Sequence, residues 1–134
     1  MNTTYFINCV AGNLFGSKTT PALPTDYYVG LSTTQPSADG SGITEPLASA
    51  GYARVKVTSF STPSNGVVTN ASSVEFPDST ASWGTITHFV IFDSGTRGSG
   101  NALMYGALDE PRTVEKASVM TFRTGGITLS VKSE

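Results

Sequence analysis

Phe76-Pro-Asp-Ser-Thr-Ala-Ser-Trp-Gly-Thr-Ile-Thr-His-Phe-Val-Ile-Phe-Asp93, then a Gly/Ser-rich turn, then Ala102-Leu-Met-Tyr-Gly-Ala-Leu108, is the stretch on which the fold turns. Ile86 to Phe92 is apolar on both faces apart from Thr87 and His88, the pattern of a central strand. The turn Ser94 to Gly100 is flexible by composition. Ala102 to Leu108 reads as the antiparallel partner, and Asp109-Glu-Pro-Arg112 is expected to close it.

Period-2 alternation recurs on either side of this pair. Tyr27, Val29 and Leu31 alternate with Tyr28, Gly30 and Ser32. Ala53, Val55 and Val57 are expected to face inward, with Arg54, Lys56 and Thr58 on a wet face. Pro63-Ser-Asn-Gly66 marks a turn, with short strands expected at 66–70 and 73–76. Ser118 to Phe122 and Ile127 to Lys132 flank Thr124-Gly-Gly126, which predicts a hairpin with Ile127, Leu129 and Val131 pointing inward. The Gln35–Gly51 stretch is long for a connection, and such loops tend to be functional or mobile.

The period changes near the start of the chain. Tyr5, Phe6, Cys9, Val10 and Leu14 recur at helical spacing, so residues 4–15 are expected to be a helix. Thr3 or Thr4 can cap it and Gly16 can stop it. Lys18 to Asp26 holds Pro21 and Pro24 and reads as an extended connector. The expected fold is therefore mainly β: an antiparallel β-sandwich or jelly roll of about seven or eight strands with one short N-terminal α-helix. With no linker and no internal repeat, residues 1–134 read as a single domain, the helix within 1–16 and the β-sandwich over 26–134.

Composition narrows the function classes. Charged residues are 13% of the chain, about half the usual share, and Ser, Thr and Gly replace them. Thr and Ser suit exposed pleated surfaces, and charge is also depleted at the centres of subunit interfaces. The net charge is -2. The basic residues are scattered, so there is no electrostatic footprint for nucleic acid. No apolar run is long enough to span a membrane, and the opening Met-Asn-Thr-Thr-Tyr lacks the parts of a secretory signal. The matches to a glycosylation pattern at Asn2 and Asn70 are read as chance without a secretory route. The single Cys9 excludes an internal disulfide and reads as a small buried hydrophobe.

The chemistry-bearing residues do not assemble into a reaction. One His and one Cys, far apart, do not make a metal cluster. Gly16-Ser-Lys-Thr19 is not a phosphate loop, because a helix rather than a strand leads into it. His88 is the sole candidate general base, but Asp93 on the same strand is at odd spacing and is expected on the opposite face. No nucleophile elbow exists. Asp109 and Glu110 diverge as neighbours, and no carboxylate pair stands at a defined separation for glycoside hydrolysis. Asp39, Asp78 and Asp93 read as turn residues bonding local backbone, and the loop from Asp39 to Glu45 lacks the ligand count of a calcium site. Trp83 reads as a packing plug with its N–H satisfied, and the alternative is a sugar-stacking platform. No catalytic, cofactor or metal site is expected.

The quoted stretch, with Tyr27-Tyr-Val-Gly-Leu-Ser-Thr-Thr34, Gly51-Tyr-Ala-Arg-Val55 and Gly125-Gly-Ile-Thr-Leu-Ser-Val131 in the same order, resembles a family of small tailed-bacteriophage virion proteins usually labelled tail fibre proteins. Its distinctive core is Trp83, Gly84, His88, Phe92, Asp93, Tyr105 and Gly106. The resemblance implies a virion structural protein without enzymatic activity, assembled in the host bacterial cytoplasm.

A compact chain of this size fits a head-decoration (capsid decoration) subunit or a small tail or tail-fibre component on the particle exterior. Its expected partners are other copies of itself, such as a trimer, and other virion proteins such as major capsid or tail proteins, with no nucleic acid and no membrane. Tyr5, Phe6, Val10 and Leu14 of the helix are the expected interface. Deleting residues 1–16 is then expected to abolish incorporation without unfolding the β-domain. The alternative is a host-surface glycan-binding module of the phage tail that uses the Gln35–Gly51 loop, Trp83 or exposed tyrosines.

Overall fold

The computed structural model of the protein describes residues 1–16 and 24–130. Most of the expected 18–26 connector, and positions 131 and 132 of the last expected strand, lie outside the described residues.

The helix forms where its period predicts. Helix α1 spans Thr4–Phe15. Thr3 has extended backbone, and its Oγ1 accepts the Phe6 N–H at 3.2 Å, satisfying one of the donors a helix start leaves without partners. Gly16 ends the helix at φ +83°, in the left-handed region, and its N–H reaches the Gly12 carbonyl. Thr3 also donates to Ala102 O at 2.7 Å and is fully buried, so the cap residue fastens the helix to the sheet.

Among the described residues the strands are β1 (Tyr27–Ser32), β2 (Val55–Val57), β3 (Val67–Thr69), β4 (Val74–Glu75), β5 (Gly84–Phe92), β6 (Ala102–Val114), β7 (Thr121–Phe122) and β8 (Thr128–Ser130). They make one four-stranded sheet in the order β2-β1-β5-β6 and two two-stranded ribbons, β3-β8 and β4-β7. Every pairing is antiparallel. The mainly β fold with one N-terminal helix and the interior position of β5 agree with the sequence pattern. Residues 1–3 extend the sheet along the outer side of β6: Asn2 bridges Met104, and the Tyr105 N–H donates to Met1 O.

The β5–β6 ladder departs from the expected hairpin in two places. Ile91 pairs with Met104 and Phe92 with Ala102, so Leu103 is an extra residue on β6. A bulge of this kind lets Leu103 and Met104 both enter one core. Farther along, Ile86 lies opposite Arg112 and His88 opposite Ala107, so Leu108 to Pro111 loop out across from Thr87. Asp109-Glu-Pro-Arg112 therefore does not close the strand, which runs on to Val114. Pro111 has no N–H for a ladder, and it falls in the irregular segment where none is required.

The expected hairpin about Thr124-Gly-Gly126 is also not formed. β7 pairs with β4 and β8 with β3. Buried Asn70 explains the split. Its Nδ2 donates to Arg123 O at 3.0 Å and its Oδ1 accepts the Ile127 N–H at 2.9 Å. Its carbonyl accepts the Gly125 N–H. The glycine turn wraps around this one side chain and sends its flanks to different ribbons.

One core fills the space between the ribbons and the sheet. Val29, Leu31, Phe89 and Ile91 from the sheet meet Val74, Phe122 and Leu129 from the ribbons, with Tyr5 and Phe6 of α1 packed against them. Tyr52, Phe76, Trp83 and Phe122 form edge-to-face and stacked pairs with centroids 5.5–6.4 Å apart. The other face of the sheet carries Val90, Phe92, Ala102 and Tyr105, covered in part by Tyr28 and Ile43. A Cβ on Gly30 would sit 2.6 Å from the Phe92 ring, so the β1 backbone must be bare there.

Candidate functional site

Three regions hold the residues that could act on another molecule. The first is the junction of the long loop with the β5–β6 turn. Arg54 was expected on a wet strand face. It instead precedes the short strand β2 and is buried, while Ala53 is exposed. The cause is a set of partners no local pattern encodes. The guanidinium carbon stands 3.4 Å from the Phe92 ring centroid. Nε and Nη2 reach Glu45 Oε1 at 2.9 and 2.6 Å, and Nη1 donates to the Ser94 and Ser99 carbonyls at 2.8 Å each. Arg97 crosses the same junction and donates to the Pro46 and Glu45 carbonyls.

The Gln35–Gly51 loop is thus fastened rather than free. It is also ordered within itself: Asp39 Oδ1 accepts from Ser41 Oγ and the Ser41 N–H, and these bonds hold its carboxyl below the usual range. A cavity of about 290 Å³ lies between loop and turn, lined by Gly40, Ile43, Glu45, Arg97, Ser99 and Gly100 among others. The Glu45 side chain is 6% exposed, and its Oε2 has no hydrogen-bond partner.

The second region is the motif set, and the structure spreads it along β5 and β6 rather than gathering it. Trp83 is 4% exposed, and its indole N–H donates to Ala50 O at 2.8 Å. It is a packing plug and not an open platform. Gly84 begins β5. Phe92 carries the Arg54 guanidinium. Asp93 accepts the Asn101 N–H at 2.7 Å and so ties the base of the turn. Tyr105 is buried, and a Cβ on Gly106 would meet the Phe89 ring at 2.8 Å.

His88 is half-buried, with Nδ1 2.8 Å from Thr87 Oγ1. Burial pushes its pKa below the ordinary histidine value. No described carboxylate is hydrogen-bonded or ion-paired to it. Among the described residues, no group of three or more His, Cys, Asp or Glu is placed to hold a metal ion, and no helix is long and apolar enough to cross a membrane. The tyrosines named as exposed are not: Tyr52 and Tyr105 are buried, and Tyr5, Tyr27 and Tyr28 are half-buried.

The third region is α1. Of the four residues expected at an interface, Tyr5 and Phe6 pack against the core and Val10 is half-buried, while Leu14 is 71% exposed. The uncovered face carries Ile7, Ala11, Leu14 and Phe15 beside the exposed polar Thr4 and Asn8, with Phe15 86% exposed. Positions 7, 11, 14 and 15 stand at i, i+4, i+7 and i+8, one continuous stripe. The signal was in the sequence. No charged side chain interrupts residues 1–16, so the helix has two apolar sides, and the period through Tyr5, Phe6, Cys9, Val10 and Leu14 follows the inward one and shares only Leu14 with the other.

Compared with known protein families, residues 2–130 match the family described as Podophage GP4 fiber I protein gp80. A comparison with curated proteins finds no match. The match covers both the helix and the strands that carry the Trp83–Asp93 motif, and it agrees with the resemblance read from that motif. The chain therefore belongs to the podophage GP4 fiber I protein gp80 family, and it is a structural component of a phage virion.

Proposed function

We propose that the chain is a non-enzymatic accessory subunit on the particle exterior, a head-decoration or small tail-fibre component that acts by packing against neighbouring virion subunits. The uncovered stripe of α1 carries this reading. Ile7, Leu14 and Phe15 are 53%, 71% and 86% exposed on a helix without a single charged side chain. Contiguous apolar surface of this kind marks an interaction site. The fastened loop and the buried cap residue Thr3 suit a rigid part rather than a moving one.

Truncation is a poor test. Thr3 is fully buried and Tyr5 and Phe6 pack on the core, so deleting residues 1–16 would disturb the β-domain as well as the docking face. Leu14→Glu with Phe15→Glu is the cleaner experiment. The double variant is expected to keep the thermal stability of the parent and to be lost from purified particles when it replaces the parent during infection. Normal incorporation at parental copy number would refute the reading.

One observation favours a second reading, a host-surface glycan-binding module. The cavity between the loop and the β5–β6 turn includes the Glu45 carboxylate, whose free oxygen could accept from a hydroxyl. That oxygen is buried, however, and neither Trp83 nor a tyrosine offers an open ring beside it. Packing therefore takes precedence over sugar binding.

A further inference from the structure

We infer that Asn65 is a self-modification site: the Gly66 nitrogen attacks the Asn65 side-chain amide and converts the residue to aspartate and isoaspartate. The inference does not depend on the docking role proposed above.

Three observations meet at this position. Of the six asparagines only Asn65 precedes a glycine, so only here does the attacking nitrogen belong to a residue with no Cβ to crowd it. Asn65 and Gly66 are both exposed. They have φ of +53° and +77°, and the Ser64 and Val67 N–H groups donate to each other's carbonyls at 3.0 Å. Asn65 and Gly66 are therefore the two central residues of a primed hairpin turn. Its bonds use the N–H groups of residues 64 and 67, which leaves the Gly66 N–H and the Asn65 amide to water. Asn70 is the opposite case. It is 1% exposed, its Nδ2 donates to the Ser72 and Arg123 carbonyls, and its Oδ1 accepts the Ile127 N–H.

The reaction needs only water. A bond forms from Gly66 N to Asn65 Cγ, and the bond from Cγ to Nδ2 breaks. The Gly66 nitrogen gives up its proton to solvent, Nδ2 leaves as ammonia, and a five-membered imide remains. Water then opens the imide. Cleavage between N and Cγ gives aspartate, and cleavage between N and the backbone carbonyl carbon gives isoaspartate. The turn holds Asn65 in the left-handed region, and ring closure requires its backbone to rotate out of it. The tip must therefore open first, and an exposed tip held by two turn bonds opens far more readily than the core around Asn70.

The two products differ in their effect on the fold. Residues 57–74 carry no charged side chain, so either product places the first carboxylate in this stretch. Aspartate suits a primed turn as asparagine does, and the hairpin is kept. Isoaspartate adds a backbone methylene between Ser64 and Val67, which breaks their register.

The test holds the full chain in mildly alkaline buffer and follows the tryptic fragment 57–97, which carries both Asn65 and Asn70. Fragmentation mass spectrometry is expected to place both products at Asn65, at a rate that rises in proportion to hydroxide, with Asn70 slower by more than about tenfold. Asn65→Gly keeps the positive φ without strain and removes the amide, so the acidic charge variants of the aged protein should vanish. Acidic variants that persist in Asn65→Gly would assign the chemistry to another amide and overturn the inference. Asn65 left intact in the folded chain, under conditions that convert a peptide of residues 57–74, would overturn it as well, because the turn would then be closed to the reaction.

Discussion

The loop–turn junction and the α1 stripe treat water in opposite ways. At the junction, a charged pair is taken out of solvent, with the Arg54 and Glu45 side chains 2% and 6% exposed. On α1, Leu14 and Phe15 are left in solvent at 71% and 86%. Burying an ion pair carries a desolvation cost that only extra bonds and packing offset. Here the offset is internal: two carbonyls, a carboxylate oxygen and the Phe92 face all come from the same chain. Exposed apolar area forgoes about 25 cal/mol per Å² until something covers it. The junction is covered within one chain, and the outer stripe of the helix is left open. If the proposed docking role of α1 holds, stability and assembly reside in different places and can be perturbed separately.

The largest effect tests the first half of that separation. Arg54→Ala leaves the Glu45 carboxylate buried without its cation and frees the carbonyls of Ser94 and Ser99. Breaking a buried pair from one side typically costs about 3–5 kcal/mol, and urea denaturation should show a loss of that size. Arg54→Met combined with Glu45→Gln removes both charges and should recover most of it. A loss below about 1 kcal/mol for Arg54→Ala, the range of an exposed pair, would mean that the junction does not hold the loop.

A smaller loss is expected one layer deeper. The Tyr52 hydroxyl accepts the buried Leu31 N–H at 3.0 Å. Tyr52→Phe removes that acceptor and should cost about 1–3 kcal/mol. The phenol's pKa is raised, first by burial and then by the neighbouring Glu45. A tyrosine in the unfolded chain titrates near about 10. The contribution of Tyr52 is therefore full below that pH and falls as pH rises above it, because the unfolded state then sheds its proton first. Parent protein should lose stability above about pH 10 more steeply than Tyr52→Phe. Equal slopes would show that Tyr52 does not report on the junction.

The sequence made the backbone of this argument readable and hid the contacts that decide it. Helix α1, its Thr3 cap and its Gly16 stop followed from period and capping chemistry. The interior strand β5 followed from its two apolar faces. Strand partners were harder. Thr124-Gly-Gly126 has the composition of a hairpin, but Asn70, more than fifty residues earlier, claims the turn's backbone groups. The Leu108–Pro111 excursion is invisible to a rule that lets proline end a strand.

Arg54 is the sharpest case. Alternation placed it in water, because the pattern sees parity and not a glutamate nine positions back or an aromatic ring on another strand. On α1 the helical period picks out the inward stripe and, of the outer one, Leu14 alone. Ile7 and Phe15 were passed over because tertiary structure alone decides which stripe stays uncovered.

His88 supplies the smallest effect and sharpens the comparison, since it belongs to neither region. It is half-buried on β5 and bonded through Nδ1 to Thr87. Burial lowers its pKa. An unfolded histidine titrates near about 6.5, so between that pH and the lower folded value the unfolded state binds more protons. Stability must then fall as pH drops through this window and level off below it. His88→Gln keeps a polar group near Thr87 and removes the titration, and it should flatten that part of a stability–pH curve while leaving particle incorporation unchanged. If the acid-side slope persists in His88→Gln, it arises from a group other than His88. If incorporation drops while stability holds, β5 takes part in assembly, and the division of labour between the two regions is wrong.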